Sequence, residues 1–266
     1  MTVILFWNTN GKDFAGDIGE MCRRHHVDLL VLAETKTDPG ALLGSINSHG
    51  EFRYQEYTKT NEYIRFISKL PNSSVIIIED YGRFSTVHIR PPIGKELLVT
   101  GAHLTSKLHY GPADQEHQAQ RLSESIKSCE DRIKLKNSVL IGDLNMNPFE
   151  PGMVSARGLN GVADKAVASK VNRILQGEEW PFFYNPMWSL MGDDSRGPPG
   201  TYYRQSANVI NYFWNMFDQV LLRPSLIEDF KPENLHILTN TGLRNLLKDG
   251  KVDVSISDHL PILIEI

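Results

Sequence analysis

The chain carries a series of short apolar runs that end next to a residue able to bind a metal or move a proton. The first run, at 3–8, ends on Asn8. The second, at 27–34, ends on Glu34. Runs of this length between turn residues are typical of buried strands. Polar groups at strand ends on one rim of a sheet can converge on a single site. The sequence therefore predicts a sheet-based fold with one polar site.

Other residues of this kind occur further along the chain. Those at the ends of apolar runs, or inside one, are His103, Asp143, Asn145, Asp218, Asp258 and His259. Each has an alternative interpretation as a turn or capping residue, because Asn, Asp and Ser often satisfy backbone donors in turns. The functional prediction depends on the ordered set and not on any one member.

Periodicity predicts a layered α/β arrangement near the N-terminus, with a helix at 13–26 between the first two runs. From about residue 52 to residue 100 the pattern changes to short strand candidates, which predict an antiparallel meander. These candidates lie at 63–68, 74–79, 84–89 and 96–102. A helix at 114–132 then leads into a buried strand at 138–142.

The segment 149–199 is the least regular, with one predicted helix at 164–175 followed by aromatic, Gly- and Pro-rich loop. Strand patterns return at 201–204, 216–222 and 260–266. Long loops inside a compact domain are often functional. The segment is therefore a candidate for a functional role.

Length and composition predict one domain over residues 1–266, because 41% of the residues are hydrophobic and no linker divides the chain. Cys22 and Cys129 lack metal-site or disulfide spacing, so we expect buried thiols in a reducing compartment. No signal core and no run of roughly 20 apolar residues is present, which predicts a soluble, cytoplasmic protein without a membrane partner. The net charge of -4 gives no global positive field, although one basic face could still hold a polyanion.

The residue types favour phosphoryl transfer. Carboxylate and carboxamide oxygens are ligands for a hard cation such as Mg²⁺, and Glu34 is the first choice of ligand. A histidine held by a carboxylate could deprotonate the attacking water, and His259 with Asp218 fits that description.

Several segments carry these residues in an order that resembles the endonuclease/exonuclease/phosphatase superfamily, which includes pancreatic-type deoxyribonucleases. The strongest are IGDLN at 141–145, similar to the strand-GD-x-N motif, and SDHLP at 257–261 before the last strand. LAETK at 32–36 and FDQVL at 217–221 resemble the segments that carry the metal-site Glu and the late Asp. The resemblance spans nearly the whole chain.

This resemblance implies a fold of the α/β (α+β) class, a four-layered α/β/β/α sandwich of two mixed sheets flanked by helices. It implies that Asn8 and Glu34 hold Mg²⁺, for which Mn²⁺ can substitute, with Asp258 assisting. Asp143 and Asn145 would position the attacking water and the scissile phosphate. His103 would bind or protonate phosphate oxygens, and Asn8 and Asn145 would also bind the substrate. His259 paired with Asp218 would be the acid/base or phosphate-stabilising unit. Whether Asp143 or His259 is the general base is left open.

The resemblance implies a metal-dependent hydrolase, and a nuclease acting on DNA more than RNA is the first hypothesis. GAHL at 101–104 has His where abasic-site endonucleases usually carry an aromatic residue, and TSKLH at 105–109 departs from the pattern of lipid head-group enzymes. A phosphatase or phosphodiesterase of small esters or lipid head groups, or a nuclease effector activated by a protein partner, remain alternatives. A catalytically inactive binding module is disfavoured because every catalytic position is filled.

Aromatic and basic residues between 170 and 214 provide a further hypothesis. Such side chains could stack unpaired bases and contact phosphates, or the rings could simply pack the loops against the fold. They are Trp180, Phe182, Phe183, Tyr184, Trp188, Tyr202, Tyr203, Tyr212, Phe213 and Trp214, with Lys170, Arg173, Arg196 and Arg204 nearby.

Overall fold

The computed structural model describes residues 1–48, 53–57, 61–108 and 110–266. The start of the predicted meander at Phe52 and the end of the segment 105–109 at His109 lie outside the described residues. Within these ranges, no helix is both long enough and apolar enough to cross a membrane.

Two large mixed sheets form the centre of the described structure. The first contains β1 (Val3–Asn8), β2 (Leu29–Ala33), β3 (Gln55–Glu56), β4 (Ile64–Ser68), β16 (Leu235–Ile237) and β19 (Ile262–Glu265), in the spatial order β16-β19-β1-β2-β4-β3. The second contains β5 (Val75–Tyr81), β6 (Phe84–Ile89), β7 (Leu97–His103), β8 (Ser138–Asp143), β9 (Gly161–Val162), β12 (Phe183–Tyr184) and β15 (Asp218–Leu222), in the order β5-β6-β7-β8-β15-β12-β9. The parallel pairs β1·β2 and β7·β8 adjoin antiparallel neighbours in both sheets.

The helices and small hairpins lie outside these sheets. The helices are α1 (Ala15–Arg24), α2 (Pro39–Asn47), α3 (Pro112–Ile133), α4 (Pro151–Val154) and α5 (Lys165–Ala168), and short 3₁₀ turns occur at Asn72–Ser74, Pro186–Leu190, Pro224–Leu226 and Pro232–Asn234. The hairpins are β10 (Asn172–Leu175) with β11 (Glu178–Pro181), β13 (Tyr202–Tyr203) with β14 (Trp214–Asn215), and β17 (Leu247–Lys248) with β18 (Lys251–Val252).

Alternation along the strands builds the layers. Successive strand residues point to opposite faces of a sheet, and in β1 Phe6 packs in the core between the two sheets while Leu5 and Trp7 pack outward. The outward face of the first sheet is covered by α1 and α2, and that of the second by α3. This arrangement confirms the four-layered α/β/β/α sandwich of two mixed sheets.

Two elements of the predicted pattern are wrong. The predicted helix at 164–175 is helical only in α5, because Val171 adopts a left-handed backbone with φ +71° and the chain then enters the β10–β11 hairpin. The predicted meander is divided between the sheets: β4 pairs with β2 in the first sheet, whereas β5, β6 and β7 pair in the second. The pattern did not predict α2, whose interior carries two glycines.

Candidate active site

Three of the predicted residues lie side by side at one end of the second sheet. Asp143 is the last residue of β8 and pairs with His103, the last residue of β7, in the parallel ladder. Asp143 also pairs with Asp218, the first residue of β15, in the antiparallel ladder. The register of three strands therefore brings two carboxylates and an imidazole into one row.

Gly142 permits the close approach of strands at this row. A Cβ on Gly142 would lie 2.0 Å from the carbonyl oxygen of Ala102 in β7. Cβ atoms in protein structures essentially never approach another heavy atom closer than 3.0 Å. Glycine before Asp143 is thus a steric requirement of the β7·β8 pair, since any larger residue would push the strands apart.

The first sheet contributes Asn8 and Glu34. Asn8 ends β1, and Glu34 follows β2 with a left-handed backbone at φ +49°. The side-chain amide of Asn8 donates from Nδ2 to Oε1 of Glu34 at 3.2 Å and to Oδ2 of Asp143 at 3.0 Å. Its oxygen Oδ1 accepts from the backbone of Asn10 at 3.0 Å. Asn8 therefore joins the two sheets by holding one carboxylate from each side.

His103 lies between the same two carboxylates. Its Nε2 is 3.1 Å from Oε1 of Glu34 and 3.8 Å from Oδ2 of Asp143. The hydrogen bond from His103 is the main reason that the pKa of Glu34 is lowered to about 2. Glu34 is consequently a carboxylate at neutral pH, with part of its side chain open to solvent.

His259 and Asp218 form a buried pair. Nδ1 of His259 lies 2.8 Å from Oδ2 of Asp218, and Nε2 points to Oδ2 of Asp143 at 3.7 Å. Burial opposes a charge on His259, but the carboxylates of Asp218 and Asp143 outweigh it and raise the pKa of His259 to about 10. Burial raises the pKa of Asp218 to about 6, an effect that the imidazolium opposes. The two carboxylates thus favour the imidazolium form of His259.

Asn145 is held by the backbone around it. Its backbone is left-handed at φ +52°, and its amide N–H donates to Oδ1 of Asp143 at 2.9 Å. Its side-chain Nδ2 donates to the carbonyl of Leu104 at 3.0 Å. The GD-x-N segment thus folds back so that Asp143 and Asn145 both reach the site.

The oxygen atoms of this region could hold a metal ion. Asp143, Asp218 and His259 offer ligand atoms that all lie within 4.8 Å of one another. Asp218 is a poor ligand in this set, because it is fully buried and faces Nδ1 of His259. Asp258 is a better candidate ligand: its Oδ1 is buried and has no hydrogen-bond partner among the residues that the structure describes. Asp258 and Glu34 both lie in the wall of one cavity, and carboxylate oxygens are the ligands that a hard divalent cation prefers.

A cavity of about 680 Å³ opens over these residues. Glu34, His103, Asp143, Asn145, Asp258 and His259 line it, whereas Asp218 lies behind His259 and Asn8 beneath Glu34 and Asp143. The structure thus brings together all the residues predicted to act in catalysis or metal binding, whereas Lys170, Arg173 and Arg196 do not line this cavity. The walls of the cavity also include Asn10, Lys107 and Asn215. The sequence analysis missed these residues because none of them ends an apolar run.

The aromatic residues between 180 and 214 divide between packing and the cavity. Phe182, Phe183 and Tyr184 are buried in the fold. Tyr202 and Tyr212 line the cavity, and the ring of Tyr202 lies 4.8 Å from that of His259. The packing interpretation therefore holds for the first group, and the second is placed to contact a ligand.

Comparison with known proteins gives one family over most of the chain. A model of the Endonuclease/Exonuclease/phosphatase family matches residues 5–259. No curated protein matches the chain.

Solved structures share the fold at low sequence identity. A D. rerio TDP2 complexed with single strand DNA product is 15% identical, with a TM-score of 0.56 over 99% of this chain and 97% of that one. ANGEL2, a 2′,3′-cyclic phosphatase, is 14% identical, with a TM-score of 0.60, and the match covers 99% of this chain and 94% of the ANGEL2 chain. An endonuclease/exonuclease/phosphatase family protein from Leptotrichia buccalis C-1013-b is 10% identical with a TM-score of 0.58 over 100% and 99%.

Proposed function

Because the chain belongs to the endonuclease/exonuclease/phosphatase family and is therefore a hydrolase of phosphoester bonds, we propose that it is a Mg²⁺-dependent phosphodiesterase that cleaves nucleic acid. The whole chain, residues 1–266, acts as one catalytic domain in this proposal. The observation that carries it is the joint placement of a carboxylate cluster and of His259, oriented by Asp218, at one cavity.

Members of this family depend on a metal, and the residues present fit a divalent cation. Glu34 and Asp258 would hold Mg²⁺ through carboxylate oxygens, while Asn8 keeps Glu34 and Asp143 in place through its amide nitrogen. The unpartnered Oδ1 of Asp258 supports this assignment. When bound, Mg²⁺ polarises a phosphoryl oxygen and stabilises charge on the leaving oxygen. Mn²⁺ offers similar coordination and would substitute.

Asp143 is the general base of the proposed reaction. The carboxylates of Asp218 and Asp143 raise the pKa of His259, which favours a proton-donating role for its Nε2 and assigns the base to Asp143 in this proposal. Asp143 lies 3.7 Å from Nε2 of His259 and is held by the amide of Asn8, which leaves it placed to accept a proton from water. Asn145, fixed by the carbonyl of Leu104, positions the water or a phosphoryl oxygen.

The two histidines stabilise the phosphoryl group. His259 donates from Nε2 to a phosphoryl oxygen, while Asp218 accepts from Nδ1 and fixes the ring. His103 contacts the same group from the side of Glu34. Donors that are already in place before charge develops stabilise the transition state without reorganising, and the loss of one typically costs a factor of about 10² to 10³ in kcat.

Cations and rings around the cavity favour a nucleic acid over a small ester. Lys107, whose ammonium pairs with Glu150, and Arg204 line the same cavity as the carboxylates, together with the rings of Tyr202 and Tyr212. Basic side chains contact successive phosphates and aromatic rings stack unpaired bases. The TDP2 relative in complex with single-stranded DNA product supports a nucleic acid. DNA is preferred over RNA in this proposal.

A small phosphate ester is the second candidate. ANGEL2 is a 2′,3′-cyclic phosphatase of the same fold, and a cavity of about 680 Å³ is large enough to enclose a nucleotide. The same metal and histidine groups would act, but the basic side chains of the cavity would contact no second phosphate.

A substrate panel tests the proposal. Purified protein is incubated with plasmid DNA, single-stranded DNA, RNA and small phosphate esters, with Mg²⁺ or with EDTA. We expect Mg²⁺-dependent cleavage of a polymer, with DNA cut faster than RNA. Hydrolysis of the small esters alone would replace the proposal by the second candidate, and activity in EDTA would contradict the role of the metal.

A further inference from the structure

Lys12 connects two loops that carry site residues. Its ammonium group donates to three consecutive carbonyls: to Val254 at 3.0 Å, to Ser255 at 3.3 Å and to Ile256 at 2.7 Å. An ammonium has three protons to donate, so these contacts use its full capacity. The three acceptors immediately precede the Ser257-Asp258-His259 segment.

The three carbonyls need such a partner. The carbonyl of Asp253 accepts from the amides of Ile256 at 2.9 Å and Ser257 at 3.0 Å, which closes one helical turn. The carbonyls at the end of a helical turn lack partners within the turn, and a cation is the favourable complement to them. Lys12 thus caps the turn from which Asp258 and His259 emerge.

The other end of the connection reaches the first sheet. The backbone of Lys12 closes the turn after β1, because its N–H donates to the carbonyl oxygen of Thr9 at 3.0 Å. In the same turn, the amide of Asn10 donates to Oδ1 of Asn8 at 3.0 Å, and that of Gly11 donates to the carbonyl of Glu34 at 2.7 Å. The turn that carries Lys12 is therefore bonded directly to both Asn8 and Glu34.

We propose that Lys12 is a positioning residue that sets the spacing between the Asn8–Glu34 side of the metal site and Asp258 with His259. The inference rests on the proposed function, because it assigns Asp258 and Glu34 to one ion. Lys12 does not contact the site itself and acts through the 254–256 turn. Groups of this kind orient the ligands of a metal, and their loss typically weakens metal binding by a factor of about 10 to 100.

The His259 side of the connection is also fixed by bonds that do not involve Lys12. The indole of Trp7 donates to the carbonyl of His259 at 3.0 Å, and the amide of His259 donates to Oγ of Ser257 at 3.2 Å. The side chain of Asp258 is less restrained, since its Oδ1 has no partner within the described part of the chain. We therefore expect the loss of Lys12 to affect metal binding more than substrate binding.

The test compares Lys12→Met, which keeps the aliphatic side chain and removes the charge, with Lys12→Arg. Lys36→Met is the matched control, because the exposed Lys36 packs beside Gly11 in the same region and its loss changes the net charge equally. Mn²⁺ binding is measured directly by electron paramagnetic resonance. Amide hydrogen exchange across 254–260 is measured in metal-free protein. The values of kcat and KM are measured at saturating Mg²⁺.

We expect Lys12→Met to weaken Mn²⁺ binding about tenfold or more, to speed exchange across 254–260 and to lower kcat with little change in KM. Lys12→Arg should restore most of the metal affinity, and Lys36→Met should resemble the wild type. Unchanged Mn²⁺ affinity and exchange in Lys12→Met would overturn the proposal. Equal weakening by Lys36→Met would overturn it as well, because it would assign the effect to net charge.

Failure of the proposed function gives a different result. If the wild-type protein hydrolyses no substrate but binds Mn²⁺, the binding and exchange measurements still decide the role of Lys12. If the wild type binds no Mn²⁺ at all, the assignment of Glu34 and Asp258 to one ion is wrong, and the proposal for Lys12 falls with it.

Discussion

Nδ1 of His259 lies 2.8 Å from Oδ2 of Asp218, and both side chains are buried at the base of the cavity. The Asp218 amide donates to Oγ1 of Thr201 at 3.0 Å, and Thr201 accepts from the backbone of Leu260 through its carbonyl. This network fixes the imidazole with Nε2 toward Asp143. The pair thus sets both the orientation and the protonation of His259.

We predict that Asp218→Asn lowers kcat by about 100-fold or more, because the carboxylate that keeps His259 protonated and aligned is lost. The melting temperature should fall as well, because one partner of a buried ion pair is removed, so circular dichroism at the assay temperature must show that the variant is folded. Asp229→Asn is the control, because Asp229 also pairs with a cation, Lys95, but at the surface. Near-normal turnover of Asp218→Asn would contradict the role of the pair.

Removal of the metal should be measurable without a substrate. A ligand that binds only the folded state stabilises it by about 2.7 kcal/mol when present at 100 times its Kd. We therefore expect Mg²⁺ to raise the melting temperature of the wild type, and EDTA to reverse the rise. Glu34→Gln and Asp258→Asn should each reduce the rise, because each removes one ligand charge.

The matched control for these two variants is Glu233→Gln, which removes one exposed carboxylate from the 3₁₀ turn at Pro232–Asn234. It should retain the full Mg²⁺ response. A full response in Glu34→Gln would show that this carboxylate does not bind the ion.

Gly142→Ala should destabilise the fold. The added Cβ would meet the carbonyl of Ala102, which belongs to the sheet backbone and has no room to move. Overpacking of this kind costs about 1–3 kcal/mol and sometimes more. Gly44→Ala in α2 is the control: among the described residues, no atom outside the surrounding helix backbone lies within 4 Å of its added Cβ, and Ala is favoured over Gly in a helix by about 1 kcal/mol. The free energies of unfolding of both variants and of the wild type are measured with urea. A Gly142→Ala variant as stable as Gly44→Ala would contradict the steric requirement at Gly142.

The two cysteines should be unreactive in the folded protein. Burial raises the pKa of Cys22 to about 12 and that of Cys129 to about 11. The thiolate is the reactive form, so at about pH 8 both should react with a disulfide reagent far more slowly than a free thiol. Because each pKa is raised by folding, stability should fall as the pH rises above the pKa of the unfolded thiols. Rapid modification of either cysteine in native protein would contradict its burial.

The site was more predictable from sequence than the sheet topology. Asn8, Glu34 and Asp143 could be identified because each follows a short buried strand, and strand ends determine where polar groups emerge. Their roles in phosphoryl transfer came from the order of the segments and their resemblance to a family. No periodicity argument alone could have assigned them.

What the sequence could not predict depends on long-range pairing. The pairing of β4 with β2 rather than with β5 joins segments that a local hydrophobic pattern cannot connect. The contacts of Lys12 span more than 240 positions in the sequence, so nothing near residue 12 indicates them. The predicted helix at 164–175 included β10, which pairs with β11 across a turn where Gln176 and Gly177 both have positive φ, as in tight hairpin turns.

The measurement that tests the central claim most directly is cleavage of an end-labelled single-stranded DNA oligonucleotide by wild-type protein and Asp143→Asn, each with Mg²⁺ and with EDTA. We predict cleavage by the wild type in Mg²⁺ alone, and loss of cleavage in Asp143→Asn with the fold retained by circular dichroism. Cleavage that survives in EDTA, or in Asp143→Asn, would contradict a metal-dependent nuclease whose general base is Asp143.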